Sequence, residues 1–184
     1  MKEIFCGNLE KIKKNKNKIE KILKIKLSFQ ENKVCIDGDA ISEYLCLEII
    51  EALELGFTSE QALLLQDEDF VFEKIHIKEL TKRHDLERIR GRIIGSKGKT
   101  KKNIQSLSDC FICLHDNIVG IIGRADDIGS AIRALESLIQ GKRTENVYSY
   151  LERQRTRKKE QKRKQGFKED LGLKIRNKNK KSKE

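Results

Sequence analysis

The stretch that decides the fold reads Ile93-Ile94-Gly95-Ser96-Lys97-Gly98-Lys99-Thr100, and Lys101-Lys102-Asn103-Ile104 follows it. Two glycines three residues apart allow a tight turn whose backbone can approach a ligand closely. The residues after the turn predict a helix whose first N–H groups are free and whose dipole is positive at this end. Such an end attracts phosphate, and four neighbouring lysines add positive charge. A Gly-x-x-Gly turn alone is weak evidence, but here Ile-Ile precedes it and a helix follows.

Periodic patterns on both sides of the turn indicate a small mixed fold. The patterns predict a strand over Val71–Ile77, helices over Asp85–Ile94 and Thr100–Leu107, strands over Phe111–Leu114 and Ile118–Ile122, and an amphipathic helix over Ala125–Gln140 that Gly141 ends. The order is therefore strand, helix, helix, strand, strand, helix. This order predicts an α+β unit with a small antiparallel sheet covered on one face by helices.

The sequence also repeats with a period of 85 residues. Leu27 then falls on Ile112 and Gly56 on Gly141, and apolar and glycine positions coincide over about 48 residues without a gap. We therefore predict two copies of one unit. In the first copy, residues 10–13 occupy the positions of the glycine turn, so that turn is replaced by Glu-Lys-Ile-Lys. Only residues 2–6 precede these four residues as a strand, which leaves little room for the first helix of the unit.

Charge is distributed unevenly along the 184 residues, whose net charge is +11. Residues 142–184 contain 17 basic and 6 acidic residues, and residues 82–102 contain nine basic and two acidic ones. Residues 39–79, here called the acidic belt, contain eleven acidic residues and two lysines. Two basic zones are typical of a protein that binds a polyanion, because lysine and arginine release counterions from phosphates. From Arg153 to Lys164 the tail has almost no apolar residue, so we expect a basic helix or arm that orders on its ligand, and disorder over 168–184.

Several function classes are disfavoured by the sequence. No apolar run is long enough for a transmembrane span, and no apolar stretch follows the basic start as in a secretory signal, so we expect a soluble cytoplasmic protein. Cys110 and Cys113 form a C-x-x-C, but in a strand they point to opposite faces and cannot share a metal or a disulfide. Cys6, Cys35 and Cys46 are interpreted as small buried residues. With no catalytic triad or Walker pattern, we expect no enzyme activity, no cofactor and no metal.

The turn and its surroundings resemble a known family. Ile93 to Thr100, followed by Ile104-Gln105, resembles the signature of the type I KH RNA-binding domain. The strings Leu86-Glu87-Arg88-Ile89-Arg90-Gly91-Arg92-Ile93-Ile94-Gly95 and Val147-Tyr148-Ser149-Tyr150-Leu151-Glu152-Arg153 are similar to those of tandem-KH ribosomal RNA-processing proteins of archaea, relatives of the eukaryotic partner-of-Nob family. Residues 56–70 also resemble the inter-domain stretch of that family.

The resemblance implies a fold and a domain division. The fold would be two tandem type I KH domains in an α+β class, with a degenerate domain at 1–56, an inter-domain segment at 57–70, an RNA-binding domain at 71–141 and a basic C-terminal extension at 142–184. The degenerate domain would pack against the second or contact protein through its acidic helix, Asp39–Leu55. Its basic face, Lys11–Lys26, would touch RNA only nonspecifically.

The resemblance also implies a function and a set of site residues. The protein would bind single-stranded RNA near the 3′ end of small-subunit ribosomal RNA and assist the endonuclease that trims it, without being an enzyme itself. The residues implied to contact RNA are Arg90, Arg92, Ile94, Gly95, Ser96, Lys97, Gly98, Lys99, Lys101, Lys102, Ile104 and Ile112. Independently, the basic tail predicts phosphate contacts from Arg153, Arg155 and Arg157. The alternative hypothesis is a scaffold that binds the trimming nuclease or a translation factor through the acidic belt, with incidental RNA contact.

Overall fold

The computed structural model describes residues 2–5, 7, 9–30, 33–82 and 85–181. The N-terminal unit consists of strand β1 (Lys2–Phe5), helix α1 (Leu9–Leu23), strands β2 (Lys26–Gln30) and β3 (Lys33–Asp37), and helix α2 (Ala40–Leu55). Helix α3 (Ser59–Leu63) and a 3-10 turn (Leu64–Gln66) then lead to the C-terminal unit. This unit consists of β4 (Phe70–His76), α4 (Ile77–Leu80), α5 (Leu86–Ile94), a 3-10 turn (Ser96–Gly98), α6 (Lys99–Ser108), β5 (Phe111–His115), β6 (Ile118–Arg124) and α7 (Ala125–Ile139). Helix α8 (Thr144–Lys181) follows.

Each unit contains one antiparallel sheet of three strands, and the two sheets have the same strand order. The order is β1-β3-β2 in the N-terminal unit and β4-β6-β5 in the C-terminal unit. The period of 85 is reproduced by the elements, because β2 begins at Lys26 and β5 at Phe111, and α2 begins at Ala40 and α7 at Ala125. Residues 10–13, which match the glycine turn under this period, lie within helix α1, the one helix that the described residues form between β1 and β2. The fold is thus of the predicted α+β class, with a KH-type order of elements in the C-terminal unit.

Helix α2 packs between the two sheets through its second half, in which Cys46, Ile49, Ile50, Ala52, Leu53 and Leu55 are buried. Apolar residues on more than one side of a helix are typical of packing on more than one side. Leu53 of α2 belongs to the same apolar cluster as Ile36 from the first sheet and Phe72 and Ile122 from the second. The ring of Phe57, just after α2, meets the Phe72 ring edge-to-face with centroids 6.2 Å apart. The N-terminal unit therefore covers the sheet face of the C-terminal unit that its own helices leave open.

The opposite face of the second sheet is covered by α5, α6 and α7. Ile89 and Ile93 from α5, Ile104 from α6 and Leu135 from α7 form one buried cluster with Ile121 of the central strand β6. Asp85 caps α5 by accepting a hydrogen bond from the Arg88 N–H. This cluster fixes the ends of α5 and α6, and these two ends hold the glycine turn.

Helix α8 is longer than the sequence indicated. Its first turns dock as predicted, with Val147 and Leu151 buried against the C-terminal unit. Residues 153–164 are helical, which is one of the two forms predicted for them, whereas the expected disorder over 168–181 is wrong, because α8 continues to Lys181. Lysine, arginine, glutamate and glutamine are good helix formers, and the chain contains no proline to stop the helix. The expectation for residues 182–184 lies outside the described residues.

In the part of the chain that the structure describes, no helix is long and apolar enough to cross a membrane. Cys35 and Cys46 are buried as expected, whereas Cys6 lies outside the described residues. Cys110 and Cys113 belong to different apolar clusters, as the alternation of a strand requires.

Candidate nucleic-acid interface

The glycine turn joins α5 to α6 in a backbone conformation that few residues adopt. Gly95 has φ 72° and ψ 172°, a region essentially restricted to glycine. Lys97 and Gly98 follow in the left-handed region, at φ 52° and φ 76°. A Cβ on Gly95 would lie 2.1 Å from the Thr100 Oγ1 and 2.8 Å from the Thr100 backbone nitrogen. The first glycine is therefore required both by its dihedral angles and by the close approach of α6.

Two backbone hydrogen bonds close the turn. The Gly95 N–H donates to the Gly91 carbonyl at 2.8 Å, and the Gly98 N–H donates to the Gly95 carbonyl at 3.1 Å. Gly98 occupies the N-cap position of α6, and among the described residues no side chain accepts a hydrogen bond from the first turn of this helix. The Lys99 N–H donates to the Ser96 carbonyl, so the N–H groups of Thr100 and Lys101 are the uncapped donors at the positive end of the helix dipole, an arrangement suited to a phosphate.

Basic side chains surround this helix end. Lys97, Lys99 and Lys102 are exposed, and Lys101 is half-buried. Ser96, within the turn, is exposed as well. These side chains concentrate positive charge at a site where the backbone can be approached closely, which favours contact with a phosphodiester chain over contact with a neutral ligand.

The two arginines that precede the turn are partly withdrawn from solvent. Arg90 and Arg92 are half-buried, and the Arg92 Nη2 donates to the Lys142 carbonyl at 2.5 Å. This hydrogen bond ties the end of α5 to the segment just before α8. Arg92 therefore positions the turn relative to α8, in addition to any contact that it makes with a ligand.

A cleft of about 420 Å³ lies between α6 and the edge strand β5. Its lining residues are Lys102, Gln105, Ser106, Asp109, Cys110 and Phe111. Of the three isoleucines that the resemblance assigns to an apolar groove, Ile94 is 41% exposed, whereas Ile104 and Ile112 are buried at 0% and 3%. The cleft starts one turn along α6 from the glycine turn, so a strand held at the turn can continue into it.

Sequence reasoning missed the polar and aromatic lining of this cleft. The Gln105 Oε1 accepts a hydrogen bond from the Ile112 N–H at 3.2 Å and so joins α6 to β5, and Phe111 is half-buried at the edge. The signal was present, because Gln105 follows Ile104 in the quoted motif and Phe111 begins the predicted strand. Neither contact follows from the motif alone, because each depends on how α6 and β5 pack.

Helix α8 carries the tail arginines on its surface. Arg153, Arg155 and Arg157 are all exposed. Lys158 is paired with Asp127 at the start of α7, and the two side chains are 29% and 12% exposed. This partly buried ion pair fixes the position of α8, so the three arginines are displayed on an element that is already in place.

The environment of Cys110 and the arrangement of possible metal ligands bear on the chemistry of the C-x-x-C. Burial raises the pKa of the Cys110 thiol to about 11, which leaves little of the reactive thiolate near neutral pH. Among the residues that the structure describes, no three His, Cys, Asp or Glu side chains lie together as metal ligands.

Comparison with known proteins identifies the fold around the turn. Residues 71–156 match the family described as "Eukaryotic type KH-domain (KH-domain type I)", specifically the second KH domain of PNO1. The KH domain-containing protein MJ0443 of Methanocaldococcus jannaschii is 31% identical over 159 residues, which cover 83% of this chain and 69% of that protein. The chain belongs to the Pno1/Dim2 family of KH-domain proteins.

Two further Pno1/Dim2 relatives connect the family with ribosomal RNA. The pre-rRNA-processing protein pno1 of Aspergillus fumigatus is 36% identical over 118 residues, covering 61% of this chain and 46% of that protein. A chain in the crystal structure of the a/eIF2alpha-aDim2p-rRNA complex from Pyrococcus horikoshii superposes with a TM-score of 0.75 at 29% identity, covering 84% of this chain and 93% of that one. The present chain thus spans about half of the fungal protein and nearly all of the archaeal one.

Proposed function

We propose that this protein binds single-stranded ribosomal RNA through its C-terminal unit and assists the processing of that RNA during assembly of the small ribosomal subunit. The observation that carries the proposal is the glycine turn, which exposes the uncapped start of α6 among lysines. A phosphodiester backbone is the ligand that this arrangement fits. Membership of the Pno1/Dim2 family supports ribosomal RNA as its source, because relatives are named for pre-rRNA processing and one was crystallised in a complex with rRNA.

In the proposed binding mode, the backbone and the bases of the RNA meet different parts of the site. Gly95, Ser96, Lys97 and Gly98 hold the sugar-phosphate chain, and Lys99, Lys101, Lys102, Arg90 and Arg92 neutralise phosphates around it. Ile94 offers an exposed apolar side chain to the bases, whereas Ile104 and Ile112, which are buried, support the groove from beneath. Arg153, Arg155 and Arg157 of α8 add phosphate contacts that raise affinity without choosing a sequence.

The finer part of the proposal concerns the RNA itself. We propose the region near the 3′ end of small-subunit ribosomal RNA as the target, and a binding role rather than a catalytic one. We also propose that the two units form the domains 1–56 and 71–141, joined by 57–70 and followed by the extension 142–184. The N-terminal unit, in which α1 replaces the glycine turn, would serve mainly to support the second.

Fluorescence anisotropy tests this function directly. Two short RNAs, one from the 3′ end of small-subunit ribosomal RNA and one scrambled, are titrated at two salt concentrations. We expect a preference for the first RNA that persists at the higher salt, because base contacts in the groove depend on salt less than phosphate contacts do. The double variant Ser96→Asp/Lys97→Asp should lose most of this affinity while remaining folded, since both side chains are exposed. Equal, steeply salt-dependent binding of both RNAs would contradict the proposal.

A second candidate function is the docking of a protein partner, such as a translation factor or an rRNA-trimming endonuclease. It is favoured by Ile41 and Tyr44 on α2, which are 73% and 58% exposed within the acidic belt. The solved complex that contains a chain similar to this one also includes a/eIF2alpha. Replacing both side chains with serine should leave RNA affinity unchanged and weaken capture of such a partner if this face is used.

A further inference from the structure

The two units share a hydrogen bond that the sequence repeat did not reveal. In the C-terminal unit, the Gln105 Oε1 on α6 accepts from the Ile112 N–H of edge strand β5 at 3.2 Å. In the N-terminal unit, the Glu20 Oε1 on α1 accepts from the Leu27 N–H of edge strand β2 at 2.7 Å. Both donors and both acceptors are 85 residues apart. The same helix-to-strand link therefore closes both units, through an amide in one and a carboxylate in the other.

This link fixes the orientation of the Gln105 amide. A backbone N–H can only donate, so the amide oxygen must face Ile112, and the Nε2 group must point elsewhere. In the described part of the chain, no other group forms a hydrogen bond with this amide, and Gln105 lines the cleft between α6 and β5. The cleft therefore receives two N–H donors from Gln105, whereas a glutamate such as Glu20 has only an acceptor oxygen left to offer.

The fixed oxygen restricts what Gln105 can recognise. A free glutamine side chain pairs with adenine by using its oxygen and its nitrogen together, and that mode needs the oxygen that Ile112 already occupies. The remaining donors fit a carbonyl oxygen, such as O4 of uracil or O6 of guanine. They do not fit the amino groups that cytosine and adenine carry at the corresponding positions.

We propose that Gln105 reads one base of the bound RNA by donating from Nε2 to a carbonyl oxygen, and that it thereby favours uracil over cytosine or guanine over adenine at that nucleotide. This inference rests on the proposed function of the C-terminal unit. It assigns the choice of one base to a side chain that the strand β5 orients, and it distinguishes this unit from its neighbour, where Glu20 occupies the equivalent place.

The decisive variant is Gln105→Glu. One carboxylate oxygen of the new glutamate accepts from the Ile112 N–H, as the Glu20 carboxylate does from the Leu27 N–H. The other carboxylate oxygen takes the place of the Nε2 group, so the donor in the cleft becomes an acceptor. The matched control is Asn103→Asp, which adds the same charge to an exposed position of α6 outside the cleft. Both variants should weaken RNA binding by repelling phosphates. Only the first changes the polarity of the group that faces the bases.

The test measures anisotropy with the ribosomal RNA and with single substitutions that exchange uracil with cytosine or guanine with adenine. At the contacted nucleotide we expect the native protein and Asn103→Asp to favour the carbonyl base by about three- to tenfold, as one hydrogen bond supplies. Gln105→Glu should abolish or reverse this ratio. Gln105→Ala, which lacks both polar groups, should bring the ratio to about one without reversing it.

Equal ratios for Gln105→Glu and Asn103→Asp at every position would overturn the inference, because Gln105 would then act only as a link between α6 and β5. Circular dichroism melts show whether each variant is folded. Failure of the proposed function is distinguished by the Ser96→Asp/Lys97→Asp variant. Unchanged RNA affinity in that double variant would contradict the proposed function itself. If the double variant loses affinity but Gln105→Glu leaves the base ratios unchanged, only the role of Gln105 is contradicted.

Discussion

Alanine substitutions at the two glycines of the turn should have clearly different effects. A Cβ at position 95 would be forced within 2.8 Å of the Thr100 backbone nitrogen, and it would sit in a dihedral region that only glycine occupies readily. A Cβ at position 98 would meet no described atom within 4 Å and would experience only the strain of a left-handed backbone. Comparing Gly95→Ala with Gly98→Ala therefore separates the effect of steric conflict from that of backbone strain in the same turn.

The expected magnitudes follow from these contacts. Left-handed backbone costs an alanine about 1–2 kcal/mol, which is the whole expected effect of Gly98→Ala. At Gly95 the dihedral strain costs about 1–3 kcal/mol, and the conflict with Thr100 adds about 1–3 kcal/mol because a backbone atom cannot swing aside. Since about 1 kcal/mol shifts the melting temperature of a chain of this size by about 2–4 °C, Gly95→Ala should melt well below Gly98→Ala.

Thermal unfolding followed by circular dichroism measures the two melting temperatures, and urea titration gives the free energies of unfolding. Anisotropy with the ribosomal RNA then measures how much RNA affinity each change in the turn costs. We expect Gly95→Ala to lose both stability and RNA affinity, and Gly98→Ala to lose much less stability. Similar melting temperatures for the two variants would refute the assignment of Gly95 as the position that the approach of α6 reserves for glycine.

Three further predictions concern α8 and the cysteines. Removing residues 162–184 should flatten the dependence of RNA affinity on salt more than it changes the preference between RNAs, because basic arms contact phosphates. Anisotropy over a salt series, with the ribosomal and the scrambled RNA, measures the salt dependence and the preference. An equally large loss of preference would contradict the assignment of phosphate contacts to the tail and base contacts to the groove. Leu151→Ala should destabilise the protein by about 2–5 kcal/mol in urea titration, since this 1% exposed side chain docks α8, with exposed Thr156→Ala as a near-neutral comparison. At pH 8, iodoacetamide should label half-buried Cys113 faster than Cys110, because the raised pKa of about 11 keeps Cys110 protonated until the pH approaches that value. Both cysteines lie on the tryptic peptide 103–124, so fragment-ion mass spectrometry of that peptide decides the order.

The C-terminal unit was the more predictable part of the fold. Its element order and the position of its turn follow from local signals: alternation in the strands, the 3.6-residue period in the helices, and glycines where the backbone must turn. The period of 85 correctly placed β2, β3 and α2 as well, although the N-terminal unit has no glycine turn. Sequence reasoning could not choose whether Asp39–Leu55 packs on the other unit or contacts a protein, because apolar residues around a helix do not say what covers each side.

The site was predictable where it depends on the chain itself and unpredictable where it depends on packing. The glycine turn and its lysines are adjacent in sequence, so their grouping could be read directly. The link from Gln105 to Ile112 and the ion pair of Lys158 with Asp127 join separate elements, and no local pattern reports such contacts. A helix was one of the two predicted forms of residues 153–164, but the helix over 168–181 was not predicted, because a segment without an apolar stripe can still be helical through residue propensity alone.

The position of α2 between the sheets means that the two units cannot be separated without cutting through a hydrophobic core. A fragment starting at residue 71 would expose Phe72, Phe111 and Ile122, which now face the N-terminal unit. Such an apolar sheet surface promotes aggregation, so the fragment would be a poor substitute for the whole chain in binding studies. A unit without a glycine turn thus still shapes its neighbour, because it covers one face of the sheet whose other face supports the helices of the binding surface.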